Sequence, residues 1–74
     1  MVAVPELKQY IDKEIKVELN GNRVVQGKLV GYDFFLNLTL NQCVEVKADR
    51  GDIEYVDLGQ CVIRGNSVIN IEFI

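Results

Sequence analysis

Two short stretches of this 74-residue chain carry the side-chain types that recognise a ligand. The first, Gly31-Tyr32-Asp33-Phe34-Phe35-Leu36-Asn37-Leu38-Thr39-Leu40, sets an aromatic ring, a carboxylate and an amide on a tight turn between two apolar runs. The second, Ile63-Arg64-Gly65-Asn66-Ser67, offers a guanidinium, a glycine and another amide. A ring for stacking, an amide for reading a base edge and an arginine are the parts a single-stranded nucleic-acid site needs. Bond-breaking chemistry is poorly provided for. There is no histidine, so the commonest general base is missing, and no serine or cysteine has an evident activating neighbour. Asp and Glu are spread along the chain without a catalytic spacing. No enzyme is expected, and without histidine or a Cys-x-x-Cys motif no metal or other cofactor is expected either.

Each candidate also has a plainer use. A phenylalanine is commonly core, and adjacent residues of an extended segment point to opposite sides, which assigns Phe34 to the interior and leaves Phe35 for a ligand. An asparagine on a hairpin commonly bonds its own backbone. Asp33, two residues before Phe35, is expected to accept backbone N–H groups and lock the turn, since a bare carboxylate would repel a phosphate chain. Arg64 can stack its planar guanidinium on a base, and an Arg-Gly hairpin tip is an unusual place for an idle one. Gly65 is expected to supply positive φ and close backbone approach. For Asn66, ligand contact and simple tolerance of the turn both remain open.

The chain is one domain by length. A core of this size rarely supplies more than roughly 3–5 kcal/mol, so disulfides, a metal or partner subunits usually assist. Cys43 and Cys61 are the only cysteines, and each sits in a strand-like run where a free thiol behaves as a small apolar residue. Partner subunits are the option left. No signal peptide, long apolar run or lipidation motif is visible, so a soluble intracellular protein with no membrane contact is expected, in a reducing compartment. The net charge of −3 argues against holding nucleic acid alone by backbone charge. Contacts to RNA should be few and local.

In chain order, residues 5–12 read as a short α-helix, with Pro5 in the first turn, Glu6 at the positive end of the dipole, and Leu7, Tyr10 and Ile11 on one face. Such a helix must pack on something, and capping the open end of a sheet is the expected use. From Ile15 the period becomes two, with Ile15, Val17 and Leu19 alternating against polar residues. Asn20-Gly21-Asn22 is a hairpin signal. A second strand runs from Arg23 to about Tyr32, interrupted by Gly27 and Gly31, which mark bulges or bends. In the third strand Leu36, Leu38, Leu40, Val44 and Val46 are expected on one face. Asp49-Arg50-Gly51-Asp52 is a polar turn. The fourth strand, Ile53 to about Arg64, is apolar on both parities, implying burial on both faces or a change of face at Gly59. In the last strand Ile69, Ile71 and Phe73 alternate. The expected fold is mostly β: a short helix followed by five hairpin-linked strands in a strongly bent antiparallel sheet closing towards a small barrel. The short apolar terminal strand needs a partner edge, which implies edge-to-edge association and, in closed form, a ring.

These features together resemble the Sm and Sm-like family over the whole chain. The first Sm motif lies within about 15–48, carried by Gly27-Lys28-Leu29-Val30-Gly31-Tyr32-Asp33-Phe34-Phe35-Leu36-Asn37-Leu38-Thr39-Leu40 and continuing to Glu45. The second lies within about 53–73, carried by Val62-Ile63-Arg64-Gly65-Asn66-Ser67-Val68-Ile69. Pro5-Glu6-Leu7-Lys8, Leu19-Asn20-Gly21 and Ile63-Arg64-Gly65-Asn66-Ser67 are most similar to a spliceosomal member. Subunits of mRNA-decay rings usually have threonine where Asn66 stands. The resemblance implies an SH3-like small barrel in a heteroheptameric ring, paired through edge strands with the E protein and one of the D proteins. That ring encircles a uridine-rich single-stranded site of small nuclear RNAs in pre-mRNA splicing. It also implies assembly by survival-motor-neuron-type machinery in the cytoplasm, followed by a nuclear life. In that setting Phe35 stacks on a uracil, Asn37 reads its edge, Arg64 covers the other face, Gly65 and Asn66 complete the pocket, and Asp33, Gly31 and Gly27 shape the turn and strand. Two alternatives stand beside it: a subunit of a decay or processing ring, and a ring-closing subunit with little RNA contact of its own.

Overall fold

The computed structural model describes residues 7–74. Pro5 and Glu6, read above as a helix start, lie outside the described residues. The described part of the expected helix is a single 3-10 turn, Leu7–Tyr10. Its apolar face is as anticipated: Leu7 and Tyr10 are buried and Ile11 packs against the core. The Tyr10 ring rests on Phe73 with centroids 4.5 Å apart. Backbone bonds from Asp12 to Leu29 (2.8 Å) and from Leu29 to Lys13 (3.1 Å) tie the turn to the sheet.

Five strands follow: β1 (Glu14–Leu19), β2 (Arg23–Tyr32), β3 (Leu38–Asp49), β4 (Asp52–Ile63) and β5 (Val68–Phe73). They form one antiparallel sheet in the order β4-β3-β2-β1-β5. The sheet bends strongly but does not close, so β4 and β5 are its two edges. The bend arises in β2. Its register against β3 shifts on either side of Gly27 and again before Gly31, as the two glycines imply. A Cβ on Gly27 would lie 3.0 Å from the Asn41 carbonyl oxygen and 3.2 Å from Cys43 Cα. A side chain there would push neighbouring β3 backbone aside by a few tenths of an ångström where β2 folds over it. A Cβ on Gly31 would meet nothing within 4 Å, so that bulge does not exclude a side chain.

The core is Leu7, Tyr10, Ile15, Val17, Leu19, Val25, Leu29, Leu38, Leu40, Cys43, Ile63, Val68 and Ile71. The third strand departs from its expected single face. Leu38 and Leu40 point inward, but the register slips between Leu40 and Cys43, where Gln42 takes φ 51°. One extra residue reverses the parity. Cys43 and Glu45 therefore turn inward, while Val44 and Val46 are only half-buried on the other side. The inward Glu45 is matched by Arg23 of β2 in a two-pronged pair, Nε–Oε2 3.0 Å and Nη2–Oε1 3.1 Å. The hydrogen bond to Arg23 holds the Glu45 carboxyl below its ordinary range.

In β4 the change of face at Gly59 is present. Gly59 has φ 68°, Val56 is the half-buried residue before it, and Cys61 and Ile63 turn inward after it. In β5 the expected alternation of Ile69, Ile71 and Phe73 is broken. A bulge opposite Leu19 lets both Val68 and Ile71 face the core, which leaves Ile69 exposed.

Candidate nucleic-acid interface

The first tip is the loop between β2 and β3, closed by the Tyr32–Leu38 pair. Asp33 organises it. One carboxylate oxygen, Oδ1, accepts the backbone N–H of Phe35 (2.9 Å) and of Asn37 (3.0 Å); Oδ2 accepts the Asn37 side-chain amide (2.9 Å). Backbone bonds from Leu36 to Asp33 (2.9 Å) and from Asp33 to Asn37 (3.2 Å) complete the loop. The bonds from Asn37, first backbone and then side chain, hold the Asp33 carboxyl below the usual carboxylate range. These bonds lock the first tip around Asp33.

This tight turn overturns the assignment of Phe34 to the core. The segment is not extended, Leu36 takes φ 64°, and only Leu36 packs inward. Both rings stand in solvent, Phe34 at 93% and Phe35 at 77% exposure. They meet edge to face with centroids 5.7 Å apart.

The second tip joins β4 to β5 through a 3-10 turn, Gly65–Ser67, with Arg64 extended ahead of it. Packing carries the two tips together. The Asn37 Oδ1 accepts the backbone N–H of Gly65 at 3.0 Å. A Cβ on Gly65 would sit 2.6 Å from the Phe35 carbonyl oxygen and 2.7 Å from that of Leu36. Gly65 is thus required, but not for the reason expected. Its φ is not positive, and the backbone it admits is that of the other tip.

The result is an open cavity of ≈ 320 Å³ lined by Phe35, Asn37, Arg64 and Asn66. Arg64 makes no ion pair among the described residues. Asn37 gives one N–H to Asp33 and one lone pair to Gly65, so one of each remains. An exposed ring, a free guanidinium and a half-satisfied amide on one rim suit a flat heteroaromatic group. Gly31 stands at the base of the first tip and Gly27 deeper in β2, so both shape the strand rather than line the cavity. The Asn37–Gly65 bond was not visible in the sequence, because nothing in residue types reveals which backbone N–H a side chain will meet. The Arg23–Glu45 pair was hidden for a related reason, since Glu45 faces inward only after the bulge.

A small open β-sheet capped by an N-terminal turn, with two loops sharing a polar rim, is the architecture of the Sm proteins. The LSM domain model matches residues 5–73, and the chain belongs to that family. It is 52% identical over 68 residues to the probable small nuclear ribonucleoprotein G of Caenorhabditis elegans, covering 92% of this chain and 84% of that protein. To the small nuclear ribonucleoprotein G of Saccharomyces cerevisiae it is 48% identical over 73 residues, covering 97% and 94% of the two chains. Among solved structures it is similar to a heptameric archaeal Sm protein, with TM-score 0.75, 28% identity and coverage of 92% and 94%. A Pyrococcus abyssii Sm protein in complex with a uridine heptamer matches with TM-score 0.75 and 29% identity over 92% of each chain.

Proposed function

We propose that this chain is a non-enzymatic subunit of a heteroheptameric Sm ring that binds the uridine-rich single-stranded site of spliceosomal small nuclear RNAs. The observation that carries the proposal is the shared rim: Phe35 and Asn37 from one loop, Arg64 and Asn66 from another, around one cavity. The likeness to small nuclear ribonucleoprotein G proteins and to an Sm protein bound to a uridine heptamer supports uridine as the ligand. Phe35 and Arg64 sandwich one base. The spare N–H of Asn37 donates to a uracil carbonyl, and its spare lone pair accepts from the ring N–H. Gly65 holds the tips together, Asn66 borders the base, and Asp33 fixes the orientation of Asn37.

The two free edges support ring membership. β4 exposes Ile53, Tyr55 and Val62, and the β5 edge exposes Ile69 and Phe73. Unpaired strand edges with apolar side chains call for another chain. The neighbours are other Sm subunits, the E protein and a D protein, assembled by survival-motor-neuron-type machinery before the complex works in the nucleus.

The test is uridine-oligonucleotide binding by the reconstituted ring carrying Phe35→Ala, Asn37→Ala or Arg64→Ala. Loss of base stacking costs about 1–3 kcal/mol, muted where other pockets of the ring retain the strand. Parental binding in all three variants, with no photocrosslink from uridine to Phe35, would favour a ring-closing subunit whose neighbours hold the RNA.

A further inference from the structure

The cysteines take no part in the RNA site, yet they meet. Cys43 of β3 is buried, Cys61 of β4 is half-buried, and both are free thiols. Their Sγ atoms lie 2.6 Å apart, against about 2.03–2.05 Å for a disulfide bond. Closing that bond asks for a shift on the order of half an ångström.

The bulge creates this pair. Cys61 lies opposite Leu40 and shares its inward face. Cys43, three residues beyond Leu40, would face outward if β3 kept its period of two. The slip at Gln42 reverses the parity and aims Cys43 at Cys61, while the change of face at Gly59 (φ 68°) precedes the inward turn of Cys61. Two structural irregularities, one in each strand, converge on the two sulfurs.

We propose that Cys43 and Cys61 are a modification site, a dithiol that a low-molecular-weight disulfide of the glutathione class oxidises to an intrachain disulfide. Cys61 reacts first. It lines an open cavity of ≈ 240 Å³, and Arg64, which has no ion-pair partner among the described residues, lines the same cavity. That guanidinium favours an anionic oxidant. The Cys61 thiolate attacks one sulfur of the small disulfide, forming a mixed disulfide and expelling one small thiolate. Cys43 then attacks the Cys61 sulfur, its proton passing to the departing small thiolate, which leaves as the second small thiol. The protein gives up two electrons and two protons, and the oxidant becomes two thiols. Burial, reinforced by the neighbouring Cys61, pushes the Cys43 thiol up to about 12, so Cys43 does not open the reaction; it enters only because its sulfur already lies against that of Cys61. The product ties the β4 edge to β3 across 18 residues, just below the Arg64 tip.

The purified full chain is equilibrated in stepped mixtures of reduced and oxidised glutathione, quenched with an alkylating agent and weighed intact. The expected oxidised species has lost two hydrogens, carries no glutathione, and yields one Cys43–Cys61 linked peptide on digestion. Cys43→Ser should stop at a single glutathione on Cys61, whereas Cys61→Ser should acquire none. Two alkylated thiols throughout the series, a persistent adduct on the parental chain, links only between chains, or glutathionylation of Cys61→Ser would each overturn the assignment. The parental measurement stands whether or not the variants fold, and it is independent of RNA binding.

Discussion

The Asn37 side chain accepts the backbone N–H of Gly65 at 3.0 Å, joining residues 28 positions apart in the chain. One amide therefore belongs to the scaffold and, in the proposed function, to the ligand. Asn37→Ala should expose the Gly65 amide to faster hydrogen exchange, the loss being a hydrogen bond of about 0.5–1.5 kcal/mol. Asn37→Asp keeps an acceptor for Gly65 but loses every donor. Its carboxylate also replaces the amide N–H that lies 2.9 Å from the Asp33 carboxylate, and the repulsion should leave Gly65 no better protected than in the alanine variant and uridine poorly bound. Equal exchange at Gly65 in parent and alanine variant would mean that the bond does not hold the tips.

Gly65 and Gly31 offer a paired test of packing. Gly65→Ala drives a methyl into two carbonyl oxygens at 2.6 and 2.7 Å, and overpacking of this kind costs about 1–3 kcal/mol. Gly31→Ala meets nothing within 4 Å and should stay within about 0.5 kcal/mol of the parent. Urea midpoints of the two variants decide the matter. A Gly65→Ala chain as stable as the parent would show that the tips can separate without cost.

Much of this molecule was legible from residue types because its strands obey period two wherever the ladder is regular. Ile15, Val17 and Leu19 are buried as their spacing requires, and the glycines of β2 sit where its register shifts. Legibility fails at three places, each of them a change of local geometry. A bulge at Gln42 put Val44 and Val46 on the wrong face, and another opposite Leu19 displaced Ile69. At the first tip, the closed turn around Asp33 sent Phe34 into solvent, against the rule for extended chain. The candidate residues Phe35, Asn37, Arg64 and Asn66 were recognisable as types, and they line one cavity. That they share it could not be read from spacing, since it depends on the sheet bending enough to superpose loops distant in sequence.

The Asp33 lock has a pH dependence of definite sign. Its folded-state carboxyl titrates below the ordinary value because Asn37, by backbone and then side chain, bonds the charged form. The stabilisation is complete above the unfolded carboxylate pKa, near 3.9, and disappears as pH falls through the lower folded value. The Phe35 and Asn37 amide resonances should therefore hold steady from neutrality to about pH 5 and move together only below the usual carboxylate range. Asp33→Asn should abolish that shared transition. A transition at the ordinary aspartate pKa would show the lock to be absent in solution.

The two free edges predict how this chain treats copies of itself. β4 carries Asp52, Glu54 and Asp57 with no lysine or arginine, and the only charged residue of β5 is Glu72. Setting β4 of one copy against β5 of another brings acid to acid, and like charges directly opposed across strands are destabilising. The purified chain should self-associate weakly at low salt and more strongly near 1 M, where the screening length shrinks to about 3 Å. Salt also strengthens apolar contacts, so a second variant is needed to isolate charge. Lys16 lies 3.8 Å from Glu72. Exchanging the two, Lys16→Glu with Glu72→Lys, keeps the net charge and that ion pair while moving a cation onto the edge. The exchanged chain should associate more tightly than the parent at low salt, and added salt should now loosen it. Sedimentation velocity across a salt series reads both slopes. A parent that already forms closed rings at low salt, or an exchange that leaves the slope unchanged, would mean that edge charge does not select the neighbour.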